Sequence, residues 1–358
     1  MGGLFLNKQQ LQDHIKGLTS SAPVLNDENL NQQDLSDIDL SGGAFSKTVF
    51  RGANLQRTNL VQATFVDCDL SLVNFAGAHL NEANFMRCKF IETQLPHLDL
   101  RNVNFIECDL SHANFSHTHF TQINCVNSQL NQTNLSGAQF KETSLLDSSL
   151  KGANLCDTVH FRTNFINVDF ADVQLDRALL ELVFFQNAVF TDYKFQVVQF
   201  KICQFRESKL QRCDFSQCDL HQCGFMEAEL ESAIFTKANL NNAMFIKANL
   251  KNCDFKNTQL GQALFNEASL CGSQLNNAQL QQAQFTKADL SQCNFVNADL
   301  TYADLSHANV TSANFNGATL FRCNLHQIIE EQTCWDNADR SIALATDPKK
   351  AKAEAFSQ

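Results

Sequence analysis

The chain has few of the residues that build loops, and its aromatic residues are almost all of one kind. Its 358 residues include 3 Pro, 13 Gly, 1 Trp and 2 Tyr, but 31 Phe. So little Pro and Gly argues against a loop-rich fold. The apolar content of 44% is nevertheless enough for a sizeable core. Length alone would suggest two or three domains.

Long apolar runs are also missing. No run approaches the roughly 20 residues of a membrane span. The first ten residues, MGGLFLNKQQ, lack the basic region, apolar run and small-residue cleavage site of a secretory signal. Gly2 would suit N-myristoylation, but Leu6 stands where that motif needs Ser or Thr. We therefore expect a cytoplasmic protein, and delivery by a secretion system that needs no signal peptide is the alternative.

A strict period of five residues dominates the sequence. From Leu30 to Leu325, every residue whose number is a multiple of five is Leu or Phe, except Cys125, His160 and Val310. A helix repeats its apolar face about every 3.6 residues and a strand every two, so neither element alone explains this pattern. The register holds through 60 pentapeptides without a slip, which chance cannot produce.

The repeated unit reads small, Asn or Asp, Leu or Phe, polar, polar, as in GANLQ, HANFS and KADLS. It resembles the pentapeptide-repeat family, over about five-sixths of the chain. The resemblance implies an all-β fold, a right-handed quadrilateral parallel β-helix in which four pentapeptides form one square coil. The Leu or Phe centre and the small residue two places earlier would point inward, and the other three residues outward. About 15 coils, spaced by about 4.8 Å, would give a rod roughly 70 Å long.

Residues 20 apart should then stack on successive coils. The centre residues at 45, 65, 85 and 105 are all Phe, and so are those at 165, 185, 205, 225, 245, 265 and 285. Another wall carries Leu at 210, 230, 250, 270 and 290. We expect these columns to form ladders in the core of a solenoid.

The open ends of a solenoid need covers, because they would otherwise present unpaired strand edges. Leu11, Ile15 and Leu18 have helical spacing and predict a short capping helix within residues 1–25. The repeats occupy 26–327, and residues 328–358 form a C-terminal cap and tail, in which we expect Trp335, Ile328 and Ile329 to plug the end. Asp347 followed by Pro348 predicts the start of a helix.

The 14 cysteines are best explained by packing. Ten of them occupy the inward small-residue position: Cys68, Cys88, Cys108, Cys203, Cys213, Cys218, Cys223, Cys253, Cys293 and Cys323. Cys is a small apolar residue that is often buried, and no nearby His set completes a four-ligand metal site. His160, the one titratable centre residue, is likewise interpreted as a packing position. We expect no metal, no cofactor and no catalytic residue, since no Walker loop, GxSxG or HExxH motif is present.

The net charge of −11 raises a different possibility. Quinolone-resistance members of the pentapeptide-repeat family resemble a DNA duplex and bind type II topoisomerases. Such mimicry needs a uniformly acidic column. Instead the columns alternate in sign: Glu227, Lys247, Glu267 and Lys287; Asp27, Lys47, Asp67, Arg87 and Glu107; Asp69, Lys89 and Asp109. Stacked opposite charges favour self-neutralising ladders, and no basic stripe suggests direct binding of nucleic acid.

Two groups of apolar residues fall in positions that should point outward. The first follows one wall of centre residues: Val66, Met86, Ile106, Val126, Leu146 and Ile166. The second interrupts the regular repeat: Val159, Phe161, Leu179, Leu182, Phe184 and Ile202. Near the second group, Val183 and Val198 are bulky for small-residue positions, so we expect the coil to bulge or divert there. Contiguous exposed apolar surface usually marks an interface, although a fold-back of the tail or half-burial at a corner would also explain it.

These observations predict a non-enzymatic bacterial scaffold that binds a protein partner, or a second copy of itself, along a flat wall. One alternative is a DNA-mimicking protein that binds or protects DNA gyrase. Another is an effector or accessory protein of a secretion system, with the tail as its address. The repeats encode the solenoid rather than its target, so the partner's identity stays open.

Overall fold

The computed structural model describes residues 8–17 and 22–356, without the side chains of residues 14–17. The chain forms two compact units, Met1–Val183 and Phe184–Gln358, and each is described by itself. Both are built from coils in which residue i pairs in parallel with residue i+20. The predicted fold class, an all-β parallel solenoid with short helices at its ends, is confirmed.

The first unit begins with helix α1, Lys8–Gly17, and carries two columns of three-residue strands. One column consists of β1 Val24–Asn26, β2 Ala44–Ser46, β3 Thr64–Val66, β4 Asn84–Met86, β6 Asn104–Ile106, β8 Asn124–Val126, β10 Ser144–Leu146 and β12 Asn164–Ile166. The other consists of β5 Asp99–Arg101, β7 His119–Thr121, β9 Gln139–Lys141, β11 Val159–Phe161 and β13 Leu179–Glu181. Strands are this short because each pentapeptide has three extended residues and then turns.

The second unit contains two further strands, a short 3₁₀ turn and one helix. These are β14 Phe184–Gln186, β15 Gln199–Lys201, the turn Arg340–Ile342 and α2 Pro348–Ala355. After β15, the described residues form single bridges at the same offset rather than longer strands, as in Asn239↔Gln259 and Asn324↔Leu344. Regular strands therefore account for about nine turns, fewer than the 15 coils expected.

The square shape comes from the corners, where the chain turns after each centre residue. Gln33 N–H donates to the Leu30 carbonyl at 3.2 Å, and Gln32 between them has a φ of 57°. This left-handed conformation normally favours Gly, yet most of these corners hold polar residues with side chains. Val197 is an exception, because it does not adopt the left-handed conformation, although the β-branched Ile202 does so with a φ of 53°.

The bulge expected near Val183 and Val198 is therefore local. Val183 is buried at 0% exposure and Val198 at 7%. In the second unit the 20-residue pairing continues on both sides of Val197, through Val189↔Lys209 and Lys194↔Asp214. The coil does not divert, because the backbone pairing keeps its 20-residue offset despite one irregular corner.

The core consists of the predicted ladders. In the first unit, Phe45 stacks on Phe65 with ring centroids 4.7 Å apart, and Phe65 on Phe85 at 4.9 Å. In the second unit, Phe225 lies between Phe205 at 5.1 Å and Phe245 at 4.9 Å. The ten cysteines assigned to the small-residue position are all buried, because only small side chains fit beside the stacked centres.

The structure of the two ends agrees in part with the caps predicted from the sequence. Leu11 of α1 is buried at 0% exposure, while Leu18 and the side chain of Ile15 lie outside the described residues. Trp335 stacks on Phe315 at 4.3 Å, and Asp347 caps α2 by accepting from Lys349 N–H at 2.8 Å.

Two of the expectations for the C-terminal end need correction. Ile329 does not plug the end, since it is 61% exposed, whereas Ile328 is half-buried. Ile329 occupies an outward position in a coil that still pairs through Asn309↔Ile329. Pairing continues to Leu344 rather than ending near residue 327, because the backbone bonds do not require Leu or Phe at the centre.

The Phe ladder predicts a large penalty for a cavity within it. Phe225→Ala should lower the free energy of unfolding by about 3–5 kcal/mol, the usual cost of a buried Phe-to-Ala change. Denaturant unfolding measures this change. Cys223→Ala is the matched control, because it removes one buried atom two residues away, and its effect should be much smaller. Equal effects from the two substitutions would contradict a core organised by stacked rings.

Candidate interaction surface

The first apolar group forms one continuous ladder in the first unit. Parallel pairing places Val66 beside Met86, Met86 beside Ile106 and Ile106 beside Val126. The same register continues from Val126 to Leu146 and from Leu146 to Ile166. We call Val66, Met86, Ile106, Val126, Leu146 and Ile166 the apolar ladder. Before Val66 the column holds the polar Ser46, so the apolar ladder has a defined beginning.

The side chains of the apolar ladder are only partly exposed to solvent. Met86 is 38% exposed, and the other five side chains are half-buried. Each of these residues lies immediately before a corner of its coil, where the turn covers part of the side chain. A protein that covered the apolar ladder would therefore gain less than the roughly 1.5–3 kcal/mol of a fully buried aliphatic side chain at each position.

A column of amides borders the apolar ladder on one side. Asn104 Nδ2 donates to Asn84 Oδ1 at 2.7 Å, and Asn124 Nδ2 donates to Asn104 Oδ1 at 2.9 Å. Farther along, Asn164 Nδ2 donates to Ser144 Oγ at 3.2 Å. These side chains satisfy one another along the wall and keep it flat and uncharged.

The corner column on the other side is charged. Arg87 binds both carboxylate oxygens of Asp67, at 2.7 and 3.1 Å, and this ion pair lowers the pKa of Asp67. Self-neutralising pairs recur elsewhere, as in Arg57 with Asp37 at 2.6 Å. In the first unit the alternation ends at Glu107, however. From there to Asp169 the corner column and the column two residues after it hold carboxylates and neutral residues only: Glu107, Asp109, Asn127, Gln129, Asp147, Ser149, Asn167 and Asp169.

The second apolar group divides between the two units. In the first unit, Val159 pairs with Leu179 and is 40% exposed, Leu182 is 37% exposed, and Arg162 lies 5.1 Å above the Phe161 ring. In the second unit, Phe184 is half-buried and Ile202 is 44% exposed. The cation over Phe161 makes this group less apolar than its sequence indicated, so the apolar ladder is the better-defined surface.

His160 is enclosed in the core of the first unit. Its ring stacks on Phe140 at 4.4 Å and is 0% exposed. Nε2 lies 3.1 Å from Thr158 Oγ1, whereas Nδ1 has no hydrogen-bond partner among the residues that the structure describes. Burial lowers the pKa of His160 to about 3, so the ring is neutral at physiological pH.

The cysteines offer no reactive thiol in the core. Burial raises the pKa of Cys125 and of Cys213 to about 12, and a thiolate is the reactive form. Only Cys156, Cys271 and Cys334 are half-buried rather than buried.

A polar cluster that no sequence pattern indicates holds helix α2. Glu354 Oε2 lies 3.1 Å from His326 Nε2 and 3.4 Å from His307 Nε2, and Gln327 Nε2 donates to it at 3.1 Å. His326, with further help from His307, lowers the pKa of Glu354. No residue of α2 is buried, so these polar contacts attach the helix. Glu354 is 28 residues from His326, and no pattern in the sequence joins them.

Two His and one Glu have the composition of a metal site, and their ligand atoms lie within 4.8 Å of one another. Asp347 N–H, however, donates to His326 Nδ1 at 3.1 Å. A neutral ring that accepts at Nδ1 carries its proton on Nε2, where it donates to Glu354. A metal at Nε2 would therefore compete with the N-cap contact of α2, and the cluster is better described as a latch for that helix.

An exposed aromatic pair in the second unit was also missed. Tyr302 is 48% exposed and Phe321 is 45% exposed, with their rings edge to face at 5.6 Å. Arg322 lies 5.9 Å from the Tyr302 ring. The regular period concealed this pair, because both residues occupy outward positions that tolerate any side chain.

Comparisons with known proteins agree with this architecture. The family models described as pentapeptide repeat region and pentapeptide repeats match residues 78–155 and 208–285, and residues 34–71 and 288–327, respectively. Together they cover more than half of the chain. The chain belongs to the pentapeptide repeat family. No curated protein matches it.

Solved structures of pentapeptide repeat proteins are similar to this chain. HetL, involved in heterocyst differentiation regulation in the cyanobacterium Nostoc, is 17% identical with a TM-score of 0.16, over 96% of this chain and 98% of HetL. Rfr23 of the cyanobacterium Cyanothece is 29% identical with a TM-score of 0.19, over 29% of this chain and 64% of Rfr23. QnrB1, a plasmid-mediated fluoroquinolone resistance protein, is 17% identical with a TM-score of 0.21, over 60% and 91%. At these TM-scores the neighbours carry no argument about a partner.

Within the described residues, neither helix α1 nor helix α2 is long and apolar enough to cross a membrane.

The enclosed His160 predicts how stability depends on pH. Its pKa in the folded state lies below the unfolded value, so the folded state loses stability as pH falls from about 6.5 towards about 3. His160→Phe removes this loss and extends the Phe120–Phe140 stack. Its advantage over the wild type should grow by up to about 1.4 kcal/mol per pH unit below 6.5. Denaturant unfolding at pH 7.5, 6.0 and 5.0 tests this, and a constant difference would mean that His160 is solvated.

Proposed function

We propose that this pentapeptide repeat protein is a non-enzymatic scaffold that binds protein along the wall carrying the apolar ladder. The observation that supports the proposal most directly is the register of the parallel strands in the first unit. Six apolar residues that lie 20 apart in sequence stack on six successive coils. Single exposed apolar residues are normal on a protein surface, whereas a contiguous group with polar borders is typical of an interface.

The borders support the same proposal. The amide column from Asn84 to Asn124 forms a polar, uncharged border beside the apolar ladder. The corner column supplies Glu107 and Asp147 in its carboxylate-rich part. A partial apolar centre with a polar rim is the usual composition of a protein–protein interface.

Photo-crosslinking in the native host tests this function. A photoreactive amino acid replaces Val126 in the apolar ladder, and the matched control carries it at the exposed Gln132 beyond the adjacent corner. Protein adducts at position 126 but not at 132, identified by mass spectrometry, would support the proposal, whether the adduct is another protein or a second copy. Equal labelling at both positions, or none at 126, would refute it.

Binding to DNA gyrase is a second candidate, favoured by the net charge of −11 and the carboxylates between Glu107 and Asp169. The paired ladders weigh against it, because Asp37, Asp157 and Asp192 are each neutralised by an Arg on the next coil at 2.6 Å. A DNA mimic needs these charges free.

We therefore expect no inhibition of gyrase supercoiling at low micromolar protein. A DNA mimic would inhibit, and raising the salt concentration would weaken the effect because exposed charges are screened. The supercoiling assay at two salt concentrations measures this. Salt-sensitive inhibition would make gyrase the leading candidate.

A further inference from the structure

The apolar ladder has a repeat that few partners can match. Its residues recur once per coil, about 4.8 Å apart. A partner helix would present side chains every turn, about 5.4 Å apart, and would lose register by about 3 Å over five steps. A second copy of this chain has the same spacing by construction. The match of repeats therefore favours self-association over binding of a helix.

We propose that the occupant of the apolar ladder is a second copy of the same chain, packed wall against wall with the two solenoid axes antiparallel. The proposal rests on the proposed function and names its partner. A two-fold axis across the wall, midway between the coils of Ile106 and Val126, superimposes one ladder on the other. Ile106 then faces Val126 of the other copy, and the outer pairs are Met86 with Leu146 and Val66 with Ile166.

The same two-fold axis brings opposite charges together. In the corner column beside the apolar ladder, it places Arg87, which also binds Asp67 of its own chain, across from Asp147 of the other copy. Asp147 has no cation on the adjacent coils of its corner column, which hold Asn127 and Asn167, and it accepts a hydrogen bond from Asn167 Nδ2 at 2.7 Å. Each interface would contain two such Arg87–Asp147 pairs. This complementarity is specific to this register of the antiparallel pair, since a shift by one coil would place Arg87 opposite Asn127 or Asn167.

The amide column is also self-complementary. The axis pairs Asn104 with Asn124 and Asn84 with Ser144, so every residue faces a group that can both donate and accept. One pair is unfavourable, because Glu82 faces Glu142 at the far corner of the wall. Each has a partner in its own chain, Gln62 at 2.8 Å and Gln122 at 3.1 Å, and these contacts moderate the repulsion.

The wall along six coils is a small interface. Stable protein pairs bury about 1,200–2,000 Å² in total, and a wall with one exposed and five half-buried apolar side chains buries no more than the low end of that range. The dimer should therefore form at micromolar concentrations rather than be permanent.

Sedimentation equilibrium of the full chain between 1 and 200 µM tests the proposal. We expect a reversible monomer–dimer equilibrium. Ile106→Lys with Val126→Lys places four cations around the two-fold axis and should leave only monomer. Gln94→Lys with Gln132→Lys adds the same charge at exposed positions outside this wall and should leave the dimer intact. Circular dichroism and thermal unfolding show whether each variant keeps the fold.

A charge exchange tests the register. Arg87→Glu alone and Asp147→Arg alone should each raise the dimer dissociation constant at least tenfold. The two substitutions together recreate the ion pair with its charges reversed and should restore the wild-type dissociation constant. A structural effect of either substitution would add in the double variant instead of cancelling. Glu82→Gln, which removes the unfavourable pair, should tighten the dimer.

Cysteine crosslinking tests the direction. Val66→Cys with Ile166→Cys should form an intermolecular disulfide on mild oxidation, because the two positions face each other across the axis. Val66→Cys alone should not, since two copies of position 66 would be about 24 Å apart, five coil steps. The wild-type chain controls for its native half-buried cysteines.

Three results would overturn the proposal: a monomer throughout the concentration range, a dimer that the Ile106 and Val126 lysines leave unchanged, or crosslinking by Val66→Cys alone. The proposed function is tested separately. A monomeric chain that still crosslinks to another protein at position 126 would keep the scaffold and lose the self-association. A chain that is monomeric and also forms no adduct at position 126 would refute both the proposed function and the self-association.

Discussion

The structure depends on one constraint, the backbone hydrogen bonds that link each coil to the next. Leu230 N–H donates to the Asn249 carbonyl at 2.8 Å, and Asn249 N–H donates to the Ala228 carbonyl at 2.9 Å, so that Glu229 pairs with Asn249. Such bonds recur along both units and fix an offset of 20 residues. Because buried backbone groups must be paired, an insertion or deletion of one residue would break this pairing. The unbroken period in the sequence follows from that requirement.

The same constraint makes every outward column a ladder. A residue at one position necessarily lies beside those 20 before and after it, so any chemical property that recurs with that spacing becomes a continuous stripe. Asp67 with Arg87 gives an ion pair, Asn84 with Asn104 an amide chain, and Met86 with Ile106 an apolar strip. Exposed ion pairs contribute little to stability, because water and salt screen them. Their main effect is to define which walls are charged and which are apolar.

The sequence predicted the structural features that recur with the five- and 20-residue periods. It did not predict the features that are independent of these periods. The Phe stacks, the buried cysteines and the register of the apolar ladder follow from position alone. The left-handed corners do not, because residues such as Gln32 and Asp67 adopt a φ near 57° and 55° without being Gly. The end of the pairing at Leu344 was also missed, since it depends on backbone bonds. The latch around Glu354 unites residues from the tail and two coils, and only the folded chain brings them together.

A flat repetitive wall can pair with another such wall in several registers, and the arrangement of its columns limits this ambiguity. Two walls of equal spacing can slide past one another by whole coils, because each step restores the match of repeats. A purely apolar column would permit this sliding and favour open-ended association. In this chain Ser46 ends the apolar column, and the corner column changes from alternating charges before Glu107 to carboxylates and amides after it, with Arg87 and Asp147 three coils apart. Such departures from the repeat, rather than the repeat itself, give a wall a unique register.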